Sequence, residues 1–214
     1  MIKKVLNLYA GIGGNRALWP NDLEIVAIEH EPAIAKFYQQ RFPKDTVIVC
    51  DAHQYLLENY MNFDFIWASP PCPTHSDIRR MGVHSGQYKA LYPEMELYQE
   101  IILLTHFAKL ETKWVVENVK PYYNLLIPAK EIGRHLFWAN FSIPYADLND
   151  SRIRHNSITP NSEVYTVKLP KGFPEARKVL RNQVNPELGL HIFNTAAGIR
   201  SVKAEQINLF PEKI

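Results

Sequence analysis

Two cysteines, Cys50 and Cys72, are all that this chain of 214 residues contains, too few for a disulfide framework. Its eight histidines form no CxxC or HxxxH-type cluster with them, so no metal site is expected. Charge of either sign is not in excess either. Against 22 acidic residues stand 24 basic ones, a formal +2, too mild to demand a nucleic-acid partner and no obstacle to one. Long apolar runs are missing as well. The opening MIKKVLNLYAGIGG places lysines before apolar residues, but Asn7 and the glycines cut that stretch too short for a signal peptide or a membrane span. There is no internal repeat, low-complexity tract or long charge run. A reducing, cytoplasmic setting without membrane association is the expectation. With 46% hydrophobic and 21% charged residues, the chain suits one globular domain with a sizeable core and a small appendage.

What is present alternates. Val5 to Tyr9, Glu24 to Ile28, Thr46 to Cys50, Phe63 to Ala68 and Lys113 to Glu117 read as short apolar strands. Between them, Pro32 to Phe42 reads as a helix with proline in its first turn. Glu94 to Leu110 reads as an amphipathic helix with Leu97, Ile101, Leu104 and Ala108 on one stripe. Strands separated by helices imply a parallel sheet covered on both faces. The expected fold class is therefore α/β, doubly wound and mostly parallel. Beyond residue 118 prolines recur, with strand candidates at His135 to Phe141 and Val164 to Lys168. These features divide the chain into a main domain over 1–141, a small irregular lobe over 142–190, and a segment over 191–214 that returns to the main domain.

In open α/β sheets ligands sit beyond the carboxyl ends of the strands. The first such loop is YAGIGG, Tyr9 to Gly14; Arg16 stands where a dinucleotide fingerprint needs its third glycine. A pyrophosphate cofactor such as NAD does not fit. Glycines still admit a ligand close to the backbone, Glu29 is spaced to hold two ribose hydroxyls, and Asp51 follows the third strand within reach of an adenine amino group. Taken singly, the glycines also read as a tight turn and the two acids as exposed caps. Together, at three consecutive strand ends, they point to an adenosine-type cofactor without pyrophosphate.

SPPCP, Ser69 to Pro73, surrounds one thiol with three prolines. Each proline fixes its own φ and drives the preceding residue toward extended geometry, so the loop is stiff. A free cysteine is often a small buried hydrophobe, which is the reading for Cys50 within a strand. Cys72 instead sits at a strand's carboxyl end beside the cofactor loops, where a nucleophile belongs; an ordinary thiol needs activation for that role. Glu117 in VVENV occupies the neighbouring strand end, as a proton donor or, read alone, as a surface acid or cap.

NLYAGIGG, the acid in IEHE, CDAHQ, SPPCPTHS and ENV, in this order and spacing, resemble the successive motifs of the DNA (cytosine-5) methyltransferases over roughly residues 4–120. The resemblance implies the Rossmann-like fold of class I methyltransferases, with S-adenosylmethionine as cofactor and S-adenosylhomocysteine as product. It implies that Tyr9, Gly11, Gly13, Gly14 and Pro71 line the cofactor, that Glu29 holds the ribose and Asp51 the adenine. Cys72 is implied as the nucleophile that adds to cytosine C6, with Glu117 gripping the ring edge. A base inside a duplex is out of reach of such an attack, so flipped-out double-stranded DNA is the implied substrate, RNA the alternative. A restriction nuclease or a second subunit is the further partner implied; a non-catalytic subunit is the other alternative.

The second half departs from the family pattern. Only Arg134 in GRHLFWANF answers to its paired-arginine motif, because Leu136 stands where the second arginine belongs. HIFNTAAGIRS, His191 to Ser201, is a loose echo of the last motif and carries no assigned role. SRIRH, Ser151 to His155, and KGFPEARKVLR, Lys171 to Arg181, are cationic segments that read as solvated surface or as phosphate contacts. Thr74 to Tyr88 reads as a mobile lid or an ordinary surface loop.

Overall fold

The computed structural model describes residues 1–145 and 167–199. Five parallel strands form its centre: β1 (Lys4–Leu8), β2 (Glu24–Ile28), β3 (Thr46–Ile48), β4 (Phe65–Ala68) and β5 (Lys113–Val119). A hairpin, β6 (Lys130–Ile132) and β7 (His135–Ala139), then adds two strands through antiparallel pairing of β7 with β5. The resulting order is β3-β2-β1-β4-β5-β7-β6. The doubly wound, mostly parallel sheet expected from the alternation is present, and β5 runs two residues beyond Glu117.

Period-two alternation sends each strand's side chains to opposite faces, and both faces are covered. Leu6, Leu8, Ile66, Ala68, Trp114 and Val116 pack beneath α2 (Ala52–Asn59) and α4 (Glu96–Phe107). Val5, Ile25, Phe65, Trp67 and Val115 pack against α6 (Pro186–Ala196), which supplies Leu188, Ile192 and Phe193. α1 (Pro32–Arg41) covers Ala27 through the fully buried Tyr38. Local chemistry sets the ends. Pro32 opens α1, where no N–H is required, and Pro43 follows its last turn. Asp51 caps α2 by accepting from the Gln54 N–H at 2.8 Å, and Asn185 caps α6 by accepting from Glu187 and Leu188.

Several expectations need correction. α2 is an element the alternation did not reveal. The segment after the thiol is not an open loop, because Asp77–His84 forms α3 under a Ser76 cap, and Tyr88 folds back on Gly82. KGFPEARKVLR contains α5 (Ala176–Arg181). Ser151 to His155, and all of the strand candidate Val164 to Lys168 but its last two residues, lie outside the described residues. His191–Ala196 belongs to α6, so a boundary at residue 190 falls inside a helix.

α6 docks on the segment that follows the glycine loop. Trp19 stacks on Phe193 with ring centroids 5.4 Å apart, and its Nε1–H donates to the Gly189 carbonyl at 3.0 Å. A Cβ on Gly189 would lie 2.3 Å from the Asn15 carbonyl oxygen, a backbone atom that cannot turn aside. Gly189→Ala is therefore expected to cost about 1–3 kcal/mol by overpacking. Thermal unfolding reads this as a drop of roughly 2–4 °C per kcal/mol; an unchanged Tm would mean that α6 does not rest on that loop.

Candidate active site

The carboxyl ends of β1, β2 and β4 carry most of the residues singled out by sequence. At the end of β1 the backbone turns left-handed at Tyr9 (φ 55°), Gly11 (φ 54°) and Gly13 (φ 76°). Gly13 admits no alternative: a Cβ there would stand 2.3 Å from the Phe42 ring and 2.9 Å from that of Tyr38. Glu29, buried at the end of β2, accepts from the Gly11 N–H at 2.9 Å and the Glu31 N–H at 3.0 Å. Its two oxygens thus tie the glycine loop to the start of α1. Arg16, in the place of the missing third glycine, is spent on structure. Its guanidinium donates to Asp45 at 3.0 and 3.2 Å, and Asp45 also accepts from Tyr38.

In front of Gly11 the space is open, since a Cβ would meet nothing closer than the Tyr9 carbonyl at 4.0 Å. Asp51 is exposed at the next strand end, where one oxygen serves as the α2 cap; burial first, then Glu100 and Glu96, and last Asp51 push the Tyr9 phenol up. A backbone cradle, a buried acceptor and acids facing the same loop fit a nucleoside with a diol and a positive sulfonium.

Cys72 is half-buried on the loop after β4, with Pro71 exposed beside it. The loop is stitched down from both sides. The Cys72 carbonyl accepts the N–H groups of His75 and Ser76 at 3.0 and 3.2 Å. Asn118 of the ENV sequence donates from Nδ2 to the Pro70 carbonyl at 3.0 Å. His75 is bound to the chain beyond β5 by its carbonyl, which accepts the Tyr122 N–H at 3.0 Å, and by a 2.6 Å contact of Nδ1 with the Tyr123 hydroxyl. The prolines stiffen the loop, and Asn118, His75 and Tyr123 fix its place.

Burial pushes the Cys72 thiol above its ordinary range, and the neighbouring Glu117 pushes it further; Arg181 and Arg134 pull the other way. The thiol thus feels the carboxylate of β5 and the guanidiniums of Arg134 and Arg181. Glu117 is buried on β5, and its Oε1 is hydrogen-bonded by Nδ1 of the buried His135. His135 lies on β7 two positions from Phe137, the partner of Glu117 in the ladder, and so shares its face. Arg134 completes the chain: Nε donates to His135 Nε2 at 3.0 Å and Nη2 to the Arg181 carbonyl at 2.8 Å. With Nε2 accepting, Nδ1 carries the imidazole proton and donates it toward Glu117. Sequence reading passed over His135 and placed Arg181 only within a cationic segment. The signal for His135 was its place next to Arg134 at the start of a strand whose alternation matches that of β5.

A doubly wound sheet whose seventh strand runs antiparallel beside the fifth has the Rossmann-like topology expected from the sequence, with its loops at the carboxyl ends of the strands. The family described as C-5 cytosine-specific DNA methylase matches residues 3–123, more than half of the chain. The chain belongs to that family; it is a DNA cytosine methyltransferase, and S-adenosylmethionine is its cofactor.

Similar solved structures include a hypothetical protein of Thermus thermophilus, at 17% identity, TM-score 0.42, with 64% of this chain and 73% of that one covered. A SAM-dependent methyltransferase from Agrobacterium tumefaciens is 12% identical, TM-score 0.42, with 57% and 40% covered. A TehB-like SAM-dependent methyltransferase from Corynebacterium glutamicum is 15% identical, TM-score 0.36, with 55% of each chain covered. This chain thus spans less than two thirds of the last two. No curated protein matches it in sequence. Among the described residues no helix is long and apolar enough to cross a membrane.

Proposed function

We propose that this chain methylates C5 of a cytosine flipped out of duplex DNA, with Cys72 as a covalent nucleophile and Glu117 as the group that grips the ring edge. The observation that carries the reading is that the Cys72 loop and Glu117 stand at neighbouring strand ends, with Asn118 bonded to Pro70 of that loop and Arg134 linked to Glu117 through His135. Tyr9, Gly11, Gly13, Gly14 and Pro71 line the cofactor in this reading, Glu29 holds its ribose and Asp51 its adenine.

Cytosine C5 is too electron-poor to be alkylated directly. Addition of the Cys72 sulfur to C6 turns the ring into an enamine and makes C5 nucleophilic, one hard step becoming two easier ones. Bound S-adenosylmethionine supplies the electrophilic methyl group that this carbon takes up. Glu117, with Oε1 occupied by His135, turns Oε2 to N3 and the exocyclic amino group, drawing charge from the ring as sulfur adds. Water then takes the C5 proton, the C5=C6 double bond re-forms and the C6–S bond breaks, releasing Cys72 as thiolate. Attack from above the ring plane requires the base to leave the stack, at about a few kcal/mol. Arg134 and Arg181 flank the thiol and face the nucleotide's phosphates. The cations of α5, with those of the 142–190 segment, track the backbone and give affinity that falls with salt.

The test uses a random-sequence duplex pool carrying 5-fluorocytosine, with S-adenosylmethionine, and mass spectrometry of the protein. Fluorine at C5 cannot leave as a proton does, so a covalent adduct on the peptide containing Cys72 is expected. No adduct, from protein that binds the cofactor, would overturn the mechanism. An RNA pool run in parallel decides the substrate, and trapping on RNA alone would transfer the reading to that polymer.

A further inference from the structure

α4 buries an acid on the face that its neighbours fill with hydrocarbon. Glu100 is fully buried and shares that face with Leu97, Ile101 and Leu104. Its Oε1 accepts the Tyr9 hydroxyl and lies 3.1 Å from Nδ1 of His53, while Oε2 has no hydrogen-bond partner. Three elements, the exit of β1, the first turn of α2, and α4, therefore meet on one carboxylate. An unpartnered buried carboxylate oxygen costs roughly 1–3 kcal/mol or more, and an apolar side chain would serve stability better there. The acid's role lies elsewhere than in stability.

Tyr9 supplies that role. It and the exposed Glu175 are the non-glycine residues with positive φ among those described. A left-handed conformation costs an L-residue roughly 1–2 kcal/mol, so a compensating interaction must hold it. The bond to Glu100 is the side-chain hydrogen bond available to Tyr9. We propose that Glu100, as a carboxylate, is the positioning residue of the cofactor loop: by accepting the Tyr9 hydroxyl it holds Tyr9 left-handed, and with it the backbone that receives S-adenosylmethionine.

The inference rests on the reading of Tyr9 to Gly14 as the cofactor loop. It also makes cofactor binding proton-linked. The charged and titratable groups around this carboxylate are Tyr9 from β1, Asp51 and His53 from α2, and Glu96 from α4 itself. Burial pushes Glu100 above the usual carboxylate range, and the bonds from His53 and Tyr9 pull it back down. His53 is held up by its bond to Glu100. The carboxylate is the strong acceptor, so protonation as pH falls weakens its hold on Tyr9 and affinity drops. Burial places that drop above the usual glutamate range. Removing the His53 donor moves it to higher pH still.

Calorimetric titration of the full chain with S-adenosylhomocysteine, which binds without turnover, reads this from about pH 5 to about pH 8.5. Wild-type affinity is expected to fall toward acid. Tyr9→Phe is expected to bind about 10- to 100-fold more weakly at the alkaline end, the equivalent of one hydrogen bond to a charged group, and Glu100→Gln, whose amide oxygen remains a weaker acceptor, to lose part of that, each with a flat pH profile. His53→Ala should bind near wild type at the alkaline end, with its fall displaced upward. Thermal unfolding is the control, Glu100→Gln melting no lower than wild type. Wild-type affinity and pH profile retained in Glu100→Gln and Tyr9→Phe would overturn the proposal. Should the wild-type chain bind no cofactor at any pH, the assignment of the loop falls, and this inference with it.

Discussion

Cys72→Ser is expected to lower methyl transfer by about 10⁴-fold or more, while affinity for S-adenosylhomocysteine stays within a few-fold. The size of the effect turns on what the thiol supplies. Serine keeps the loop, whose position is fixed by the Cys72 carbonyl with His75 and Ser76, and by Asn118 on Pro70, rather than by the sulfur. A hydroxyl is far harder to ionise than a thiol and a much weaker nucleophile toward C6, so only the addition step suffers. Radioactive methyl transfer to DNA, with calorimetry of the same preparation, checks both halves. Undiminished transfer would remove Cys72 from the reaction.

The wild-type enzyme's pH profile follows from the same site. Burial and Glu117 raise the Cys72 thiol above its ordinary range, so it is protonated at neutral pH. Single-turnover transfer should therefore rise with pH as the thiolate fraction grows. Arg134 and Arg181 oppose the shift, and an incoming phosphodiester engages such guanidiniums. In the proposed mechanism the nucleophile would then stay an inert thiol until the nucleotide is seated, which would also limit oxidation of the free enzyme.

The strands were legible because parallel strands buried on both faces read as apolar runs, and their order in the chain located the loops at their carboxyl ends. Cys72, Glu29 and the glycines needed no more than that. α2 and α3 were hidden for different reasons. α2 is a short polar helix whose first sign, Asp51, reads equally as a ligand residue; it caps the helix at 2.8 Å. α3 carries Gly82 in its interior, a helix breaker by propensity, and the glycine is there because a Cβ would strike the Tyr88 ring at 2.1 Å. Arg16 was visible only as a missing glycine, and its buried pairing with Asp45 explains the substitution. The contact of Glu117 with His135 depends on the register of an antiparallel return, which lies in the pairing of β5 with β7 rather than in either strand's own sequence. Glu100 was concealed in plain view on a helical stripe.

That return strand sets the other large effect. Glu117→Ala is expected to cost about 10²- to 10⁴-fold in kcat, the range for a lost acid–base group, with little change in KM for DNA. Glu117→Gln should fall between, since an amide can donate to N3 but cannot pass a proton. His135→Ala leaves the acid in place and removes the N–H that occupies Oε1, so the carboxyl can turn away. A misplacement of about 1 Å costs on the order of 10²-fold, and the loss should again fall on kcat. His135→Asn puts an amide N–H near the Nδ1 position and should recover a large part of it, which a purely structural role would not predict. Because both residues act through one carboxyl group, Glu117→Ala combined with His135→Ala should be no slower than Glu117→Ala alone. Multiplied losses in the double variant would mean that His135 reaches the substrate independently of Glu117, and the order of events along Arg134, His135 and Glu117 would have to be redrawn.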